Sequence, residues 1–421
     1  MDTALPWPCC VTRLRGSSSM TLVDEVKMIP KALLLLLLAV STCSAREVVK
    51  IRVVNNVVLV PVRVNGRDLS FLLDTGSEHS AIDASVASSL NLGQVADVEV
   101  LKNYRTQPAT TDRTTKIEIG GLAFEDKNLT VLNLASVAHA LGSAVDGVVG
   151  NDILQDFTFT LNYSKEELVA GRLAELGDTG VPLKLRRSGD EFFVPMRLMS
   201  SSVELLLDTG TNSTNLSWGS WRQLSRVWAP DATIDGVVRA GFPTPPAFLV
   251  CVPDLRLGEI GVRDQAVRVQ RAVNSGAFSA EGFGGTLGSE FLRQFEVTFD
   301  LKHDEMFLKK DPRWKPDPYR YVTVGIQFAR NDQGTYTVMS VWKNSPADQA
   351  EIRLGDRIRA INGTSTTSMS AEQVSAQLHG EEGTAVNLIL ERGEDASAVI
   401  LHTRQMLCGH IKDQHEYRSQ K

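Results

Sequence analysis

The sequence predicts a mostly β protein: two related β lobes followed by a smaller α+β module. Three observations carry this. Short runs rich in Val, Leu, Ile and Phe, alternating or wholly apolar, recur between Asn-Gly, Gly-Gly and Asp-rich turns, while helical periodicity is sparse. One long stretch occurs twice in register. Beyond Pro312, Pro316 and Pro318 the composition shifts, as at a stiff linker. With 421 residues, 43% hydrophobic and 22% charged, the chain has length and apolar content for two or three cores.

The N-terminal region reads as an export signal. An unbroken apolar run, Ala32 to Val40, follows Lys31 and is too short to span a bilayer. It leads into Cys43-Ser44-Ala45, whose small residues suit cleavage near Ala45. Asp24 and Glu25 stand where a signal carries positive charge, so translation is expected to start at Met28. Lipid anchoring at Cys43 is the minor alternative. An exported chain, periplasmic, secreted or envelope-associated and without a membrane span after cleavage, is the expectation. Of five cysteines only Cys251 and Cys408 survive that cleavage. Far apart in sequence, they imply no disulfide framework, and Cys251 in AFLVCVPDL reads as a core residue. The seven histidines form no metal-ligand spacing, so no metal and no cofactor is expected. A net charge of -6 without a long basic block argues against nucleic acid.

The repeat carries the chemistry. VVLVPVRVNGRDLSFLLDTGSEHSAI stands against EFFVPMRLMSSSVELLLDTGTNSTNL, placing Asp208 134 residues after Asp74. DGVVGNDILQDFTFTLNY then matches GGTLGSEFLRQFEVTFDL, with Gly288 138 residues after Gly150. Two long copies indicate a duplicated domain rather than a solenoid. In each copy a hairpin feeds an Asp-Thr-Gly loop. A third Asp-Thr-Gly, at Asp178, has no apolar strand before it and lies at the seam between the copies, where it reads as a linker turn.

Over about residues 48–309 the chain resembles the aspartic proteases, and specifically bacterial retropepsin-like domains, in which each lobe donates one such loop. Leu72-Leu73-Asp74-Thr75-Gly76-Ser77 with Val148-Val149-Gly150 fits the signature. Leu206-Leu207-Asp208-Thr209-Gly210-Thr211 with Thr286-Leu287-Gly288 fits with one polar departure, Thr286. The resemblance implies two retropepsin/pepsin-like acid-protease β-barrel lobes related by pseudo-twofold symmetry, with Asp74 and Asp208 as the catalytic pair. Two adjacent carboxyls cannot both ionise, so one acts as base on a water and the other as acid on the scissile carbonyl. Gly76 and Gly210 would let backbone approach the carboxylates. Thr75 and Thr209 would lock the loops together, and Ser77 and Thr211 would donate to the outer carboxylate oxygens. Both loops lie in one chain, so a monomer is expected to form its own site. LKNYRTQPATTD is where the family places a flap; Tyr104 is its candidate aromatic, with an exposed loop tyrosine as the equal alternative. AGFPTPPAF holds the corresponding place in the second copy. A haloacid-dehalogenase-like aspartyl-phosphate site would need a second acid where Gly76 and Gly210 stand.

About residues 319–404 resemble a PDZ domain: Ser345-Pro346-Ala347, Leu354-Gly355-Asp356 and Ile361-Asn362-Gly363 occur in family order. By that resemblance Gly325, Ile326, Gln327 and Phe328 form the carboxylate-binding loop, Gln327 replacing a usual glycine, and the following strand takes a peptide C-terminus or internal segment as an added strand. Ser370-Ala371-Glu372-Gln373 reads as a capping box.

The expected organisation is an export region at 1–45, lobe one at 46–177, lobe two at 178–311, a linker at 312–318, a PDZ domain at 319–405 and a tail at 406–421. The expected activity is hydrolysis of polypeptides by an aspartic endopeptidase, with the PDZ module docking substrate or partner. A chain ending near Asp311 would then keep its hydrolysis of short peptides. The alternative is a catalytically inactive peptide-binding scaffold of the cell envelope.

Overall fold

Asn65 and Gly66 both have positive φ, 49° and 87°, the backbone of a two-residue turn whose twist matches its flanking strands. That turn joins Val57–Val64 to Arg67–Leu73 in an antiparallel hairpin with Val64 opposite Arg67 and Leu59 opposite Leu72. The structure is a computed structural model. It describes residues 46–93, 109–110, 115–237, 247–271, 278, 280–331 and 334–408, all within one compact unit. The export region with Met28 and Cys43, the candidate flap Tyr104, AGFPTPP of the second copy and the tail beyond Cys408 lie outside the described residues.

The fold is mostly β, as predicted. In the first lobe Gly147–Val149 runs parallel to the end of the hairpin, Val149 beside Leu73, within a curled nine-stranded sheet. The second lobe repeats the plan: Glu191–Leu198 pairs with Ser201–Leu207, and Gly285–Leu287 lies parallel to the latter, Leu287 beside Leu207. Here Arg197 and Leu198 also pair with Arg256 and Leu255, which closes six strands into a barrel. No such closing pair occurs in the first lobe among the described residues.

A third sheet, six-stranded, draws on both lobes. At its centre Phe159–Asn162 pairs antiparallel with Phe295–Asp300, Thr160 opposite Thr298, their hydroxyls 2.7 Å apart. Those threonines are equivalent residues of the repeat, so an approximate twofold axis passes between them. Phe159 and Phe299 stack beside the axis with centroids 4.9 Å apart, and one apolar core runs through both lobes.

The C-terminal module has its own core around Val324, Tyr336, Ile358, Val374 and Leu388. The capping box forms: Ser370 N donates to Gln373 Oε1 at 2.8 Å and Gln373 N to Ser370 Oγ at 3.3 Å, opening helix Ala371–Leu378.

The cysteine expectation is overturned. Cys251 and Cys408 form a disulfide, with Cα atoms 5.3 Å apart. Separation along the chain places no limit on approach in space, and two isolated cysteines carry no spacing pattern from which to read the pairing. The bridge ties the second lobe to the end of the C-terminal module.

Candidate active site

Each Asp-Thr-Gly loop emerges where a hairpin strand meets a parallel neighbour. Asp74 N donates to Val149 O at 3.0 Å and Asp208 N to Leu287 O at 3.1 Å. The apolar-apolar-Gly segment downstream of each loop is thus the rail on which its aspartate is mounted. A Cβ on Gly150 would lie 2.6 Å from His79 C, and one on Gly288 2.2 Å from Ser213 O. Each rail turns through a space only glycine fits.

The loops meet face to face. Thr75 N donates to Thr209 Oγ1 at 3.0 Å, and Thr209 N to Thr75 Oγ1 at 3.1 Å. Each hydroxyl passes its proton on to the opposite strand: Thr75 Oγ1 to Leu207 O at 2.9 Å, Thr209 Oγ1 to Leu73 O at 2.8 Å. Both threonines are fully buried. The carboxyls cross over. A Cβ on Gly76 would stand 2.7 Å from Asp208 Cγ, and one on Gly210 2.3 Å from Asp74 Cγ. Each carboxyl therefore packs against the glycine of the opposite loop, and any side chain there would drive the two apart.

Ser77 has a different partner from the one expected. Ser77 Oγ donates to His79 O at 2.8 Å; a hydroxyl has one proton, so it is spent on the loop's own backbone rather than on Asp74. Thr211 is buried, and its N–H reaches Asp208 O at 3.4 Å. Asp178 lies away from this constellation. It is exposed, accepts from Gly180 N at 3.1 Å and pairs with Lys309 at 3.3 Å.

Two residues that sequence reasoning passed over touch the loops, and a third touches one of them. Asn151 Nδ2 donates to Thr75 O at 2.8 Å, and Ser289 Oγ to Thr209 O at 3.0 Å. Tyr163, reaching across from the first lobe, has its hydroxyl 3.2 Å from Ser289 Oγ. The available signal was positional: Asn151 and Ser289 each follow the glycine of the rail. Next to Ser289, burial pushes the Glu290 carboxyl above its usual range. Arg320, on the segment entering the C-terminal module, pairs with Glu290 at 2.9 Å.

A second candidate surface lies in that module. Gly325 has φ +85°, and a Cβ there would meet Ser345 Cβ at 2.2 Å, so the turn requires glycine. Ile326, Gln327 and Phe328 do not continue this turn; they begin strand Ile326–Arg330, at the edge of its sheet. One side of the strand pairs with Tyr336–Val341, Ile326 opposite Val341. Among the described residues its other side pairs with no strand, and helix Ala371–Leu378 packs nearby. Such an edge suits an added peptide strand. No group of three or more His, Cys, Asp or Glu placed to hold a metal occurs among the described residues. None of the described helices is long and apolar enough to cross a membrane.

Comparison with known proteins assigns two segments. Residues 60–153 match the aspartyl protease family and residues 337–392 the PDZ domain family. The first contains Asp74 and Gly150; Asp208 lies outside both. Among curated proteins, a probable CtpA-like serine protease of Staphylococcus aureus is 32% identical over 93 residues, 22% of this chain and 18% of that protein. A carboxyl-terminal-processing protease of Synechocystis sp. is 31% identical over 86 residues, 20% of each. The chain spans about a fifth of the length of these relatives. Among solved structures, a photosystem II D1 C-terminal processing protease matches at 26% identity and a TM-score of 0.19, over 20% of this chain and 23% of that one. The chain thus contains an aspartyl protease domain at residues 60–153 and a PDZ domain, a peptide-binding fold, spanning residues 337–392.

Proposed function

We propose that the chain is an aspartic endopeptidase that builds its active site within a single molecule from Asp74 and Asp208. The observation that carries this reading is the reciprocal lock of Thr75 and Thr209, which holds each carboxyl against the glycine of the opposite loop. Two carboxyls so confined share one proton and titrate as a pair. The ionised member takes a proton from a water between them while the other donates to the scissile carbonyl, giving a tetrahedral diol without a covalent intermediate. The lobes are read as residues 46–177 and 178–311, joined through 312–318 to a PDZ module at 319–405. In that module a substrate or partner peptide adds to edge strand Ile326–Arg330, its carboxylate toward Gly325. The disulfide is consistent with an extracytoplasmic location, and export follows as part of the proposal.

The test is hydrolysis of a diverse peptide mixture by residues 46–421, with and without a transition-state inhibitor of aspartic proteases. Cleavage that the inhibitor stops is the expected result. Peptide binding without cleavage would favour the scaffold reading instead.

A further inference from the structure

The peptide unit between Thr75 and Gly76 is held at both ends. Its oxygen accepts from Asn151 Nδ2 at 2.8 Å, and its N–H, on Gly76, donates to Asp74 Oδ1 at 2.8 Å. A trans peptide is planar, with C=O and N–H pointing in opposite directions. Fixing the oxygen therefore aims the N–H. Donation to the carbonyl also polarises the amide and strengthens the bond that its N–H makes to the carboxylate.

Asn151 is fully buried, and its second amide proton goes to Asp190 O at 2.7 Å. Both neighbours are backbone carbonyls, which fixes the side chain with its NH2 group toward them. Its Oδ1 is then left as a buried acceptor with no hydrogen-bond partner among the described residues, an arrangement that costs stability. Packing alone does not explain an amide here, since an apolar side chain would avoid that orphan.

The second copy reaches the same carbonyl with different chemistry. Ser289, the equivalent of Asn151, donates to Thr209 O, so Tyr163 must be the donor in its bond to Ser289. Burial raises the Tyr163 phenol to about 12, and it remains a donor throughout the working range of a peptidase. Asn and Ser share neither size nor shape; what recurs is a proton given to the threonine carbonyl of each Asp-Thr-Gly loop.

We propose that Asn151 is a positioning residue that, through the Thr75–Gly76 peptide, aims the Gly76 N–H and stabilises the ionised Asp74 carboxylate. The proposal deepens the peptidase reading and rests on it for its catalytic consequence. Other charged or titratable groups around Asp74 are Asp208 opposite it, Glu78 and His79 on its own loop, Asp152 after Asn151, and Asp190 and Glu191 on the hairpin that takes Asn151's second bond. Asp208 is coupled most directly, and the test removes it.

With Asp208→Asn as background, the Asp74 carboxyl is titrated by 13C NMR in the Asn151, Asn151→Ala and Asn151→Ser proteins. Asn151→Ala is expected to raise the Asp74 titration by about one unit, the order expected for losing one well-aligned backbone donor. Asn151→Ser, which borrows the residue of the second copy, is expected to restore it. In the chain with both aspartates, Asn151→Ala should lower kcat about tenfold or more with KM little changed and move the acidic limb of kcat/KM upward, and Asn151→Ser should recover most of the loss. An Asp74 titration that is the same in all three proteins overturns the proposal. If Asn151→Ala does not fold, a displaced titration in Asn151→Ser overturns it equally, because that variant keeps the donor. A displaced titration in Asn151→Ala, restored in Asn151→Ser, in a chain that cleaves nothing would leave the positioning role standing and sink the peptidase reading alone.

Discussion

Cys251, in strand Ala247–Leu257 of the second lobe, is bonded to Cys408 at the end of the PDZ module, 157 residues further along the chain. The bridge is embedded in an apolar contact. Ile234, Leu249 and Ala266 of the lobe pack with Trp342 and Leu407 of the module and Tyr321 of the segment between them. Arg320, next to Tyr321, pairs with buried Glu290 beside Ser289. The segment after the prolines therefore runs docked along the lobe, and the module rests against strands Thr233–Val237, Ala247–Leu257 and Ile260–Val269 of the second lobe.

Removing the bridge should be costly. Cys251→Ser with Cys408→Ser, or reduction of the native protein, is expected to lower unfolding free energy by about 2–4 kcal/mol, since a long loop of the unfolded chain is released. Chemical denaturation with and without reductant measures this. Equal midpoints would mean that the apolar contact alone fixes the module.

The same contact revises what truncation should do. Ending the chain near Asp311 would uncover Ile234 and Ala266, both buried in the full chain, and strip Glu290 of Arg320. Arg320 is one of the two guanidinium groups, with Arg293, that offset the burial of the Glu290 charge, so its loss weakens that end of the lobe. Hydrolysis of short peptides and of protein substrates should therefore fall together, with exposed apolar surface detectable by dye binding. Unimpaired cleavage of short peptides by the truncated chain would restore the picture of an independent docking module.

For the carboxyl pair, Asp74→Asn and Asp208→Asn should each reduce kcat about a thousandfold or more with the fold intact, as an amide supplies neither the base nor the shared proton. Asp178→Asn should leave kcat unchanged, because Asp178 is exposed and engaged with Lys309. An Asp178 variant as inactive as the other two would overturn the assignment.

Local pattern made much of this legible in the sequence. The hairpins follow from alternating residues such as those of Val57–Val64 and from the Asn65-Gly66 turn, and the two loops announce themselves by recurring behind matching apolar strands. What the sequence hid lies in contacts between distant segments. Nothing in AFLVCVPDL points to Cys408, and nothing in YRYVTV reveals that Arg320 will meet Glu290. Asn151 was hidden differently, since an asparagine after a glycine reads as an ordinary helix or turn start. The Ser77 hydroxyl had two acceptors within reach of its loop, and residue type cannot choose between His79 O and a carboxylate.

The lock between the loops should be stiff but not indispensable for folding. Thr209→Val preserves shape while leaving Thr75 N and Leu73 O without the hydroxyl they bond. A loss of about 2–3 kcal/mol is expected for two buried groups left unpaired. Activity should drop further than stability accounts for, because the carboxyls lose their fixed separation. Kinetics at a temperature where the variant remains fully folded separates the two effects. Full activity under those conditions would show that the glycine contacts alone align the pair.

Acid should act with opposite signs on individual carboxyls of the chain. In the PDZ module, Arg392 holds the Asp356 carboxyl below its usual range through paired bonds of 2.7 Å each. A depressed folded-state value means that Asp356 contributes stability above its unfolded titration and loses it as pH falls through the folded one. For two carboxyls of the lobes the sign is reversed, although Asp83, Glu167 and Glu175 there are held low like Asp356. Burial raises Glu290 and Asp152, so their contribution is fully present below their unfolded titration and is lost as pH rises through the raised value. As pH falls through the carboxylate range Asp356 should therefore stop stabilising the module, while Glu290 and Asp152 favour their own segments of the lobes. Asp356→Asn should lower the unfolding midpoint at neutral pH, and its difference from the native chain should shrink as pH drops below the ordinary aspartate range. Hydrogen exchange in Ala385–Arg392 of both proteins across that range checks this. A difference that does not shrink in acid would contradict the assignment.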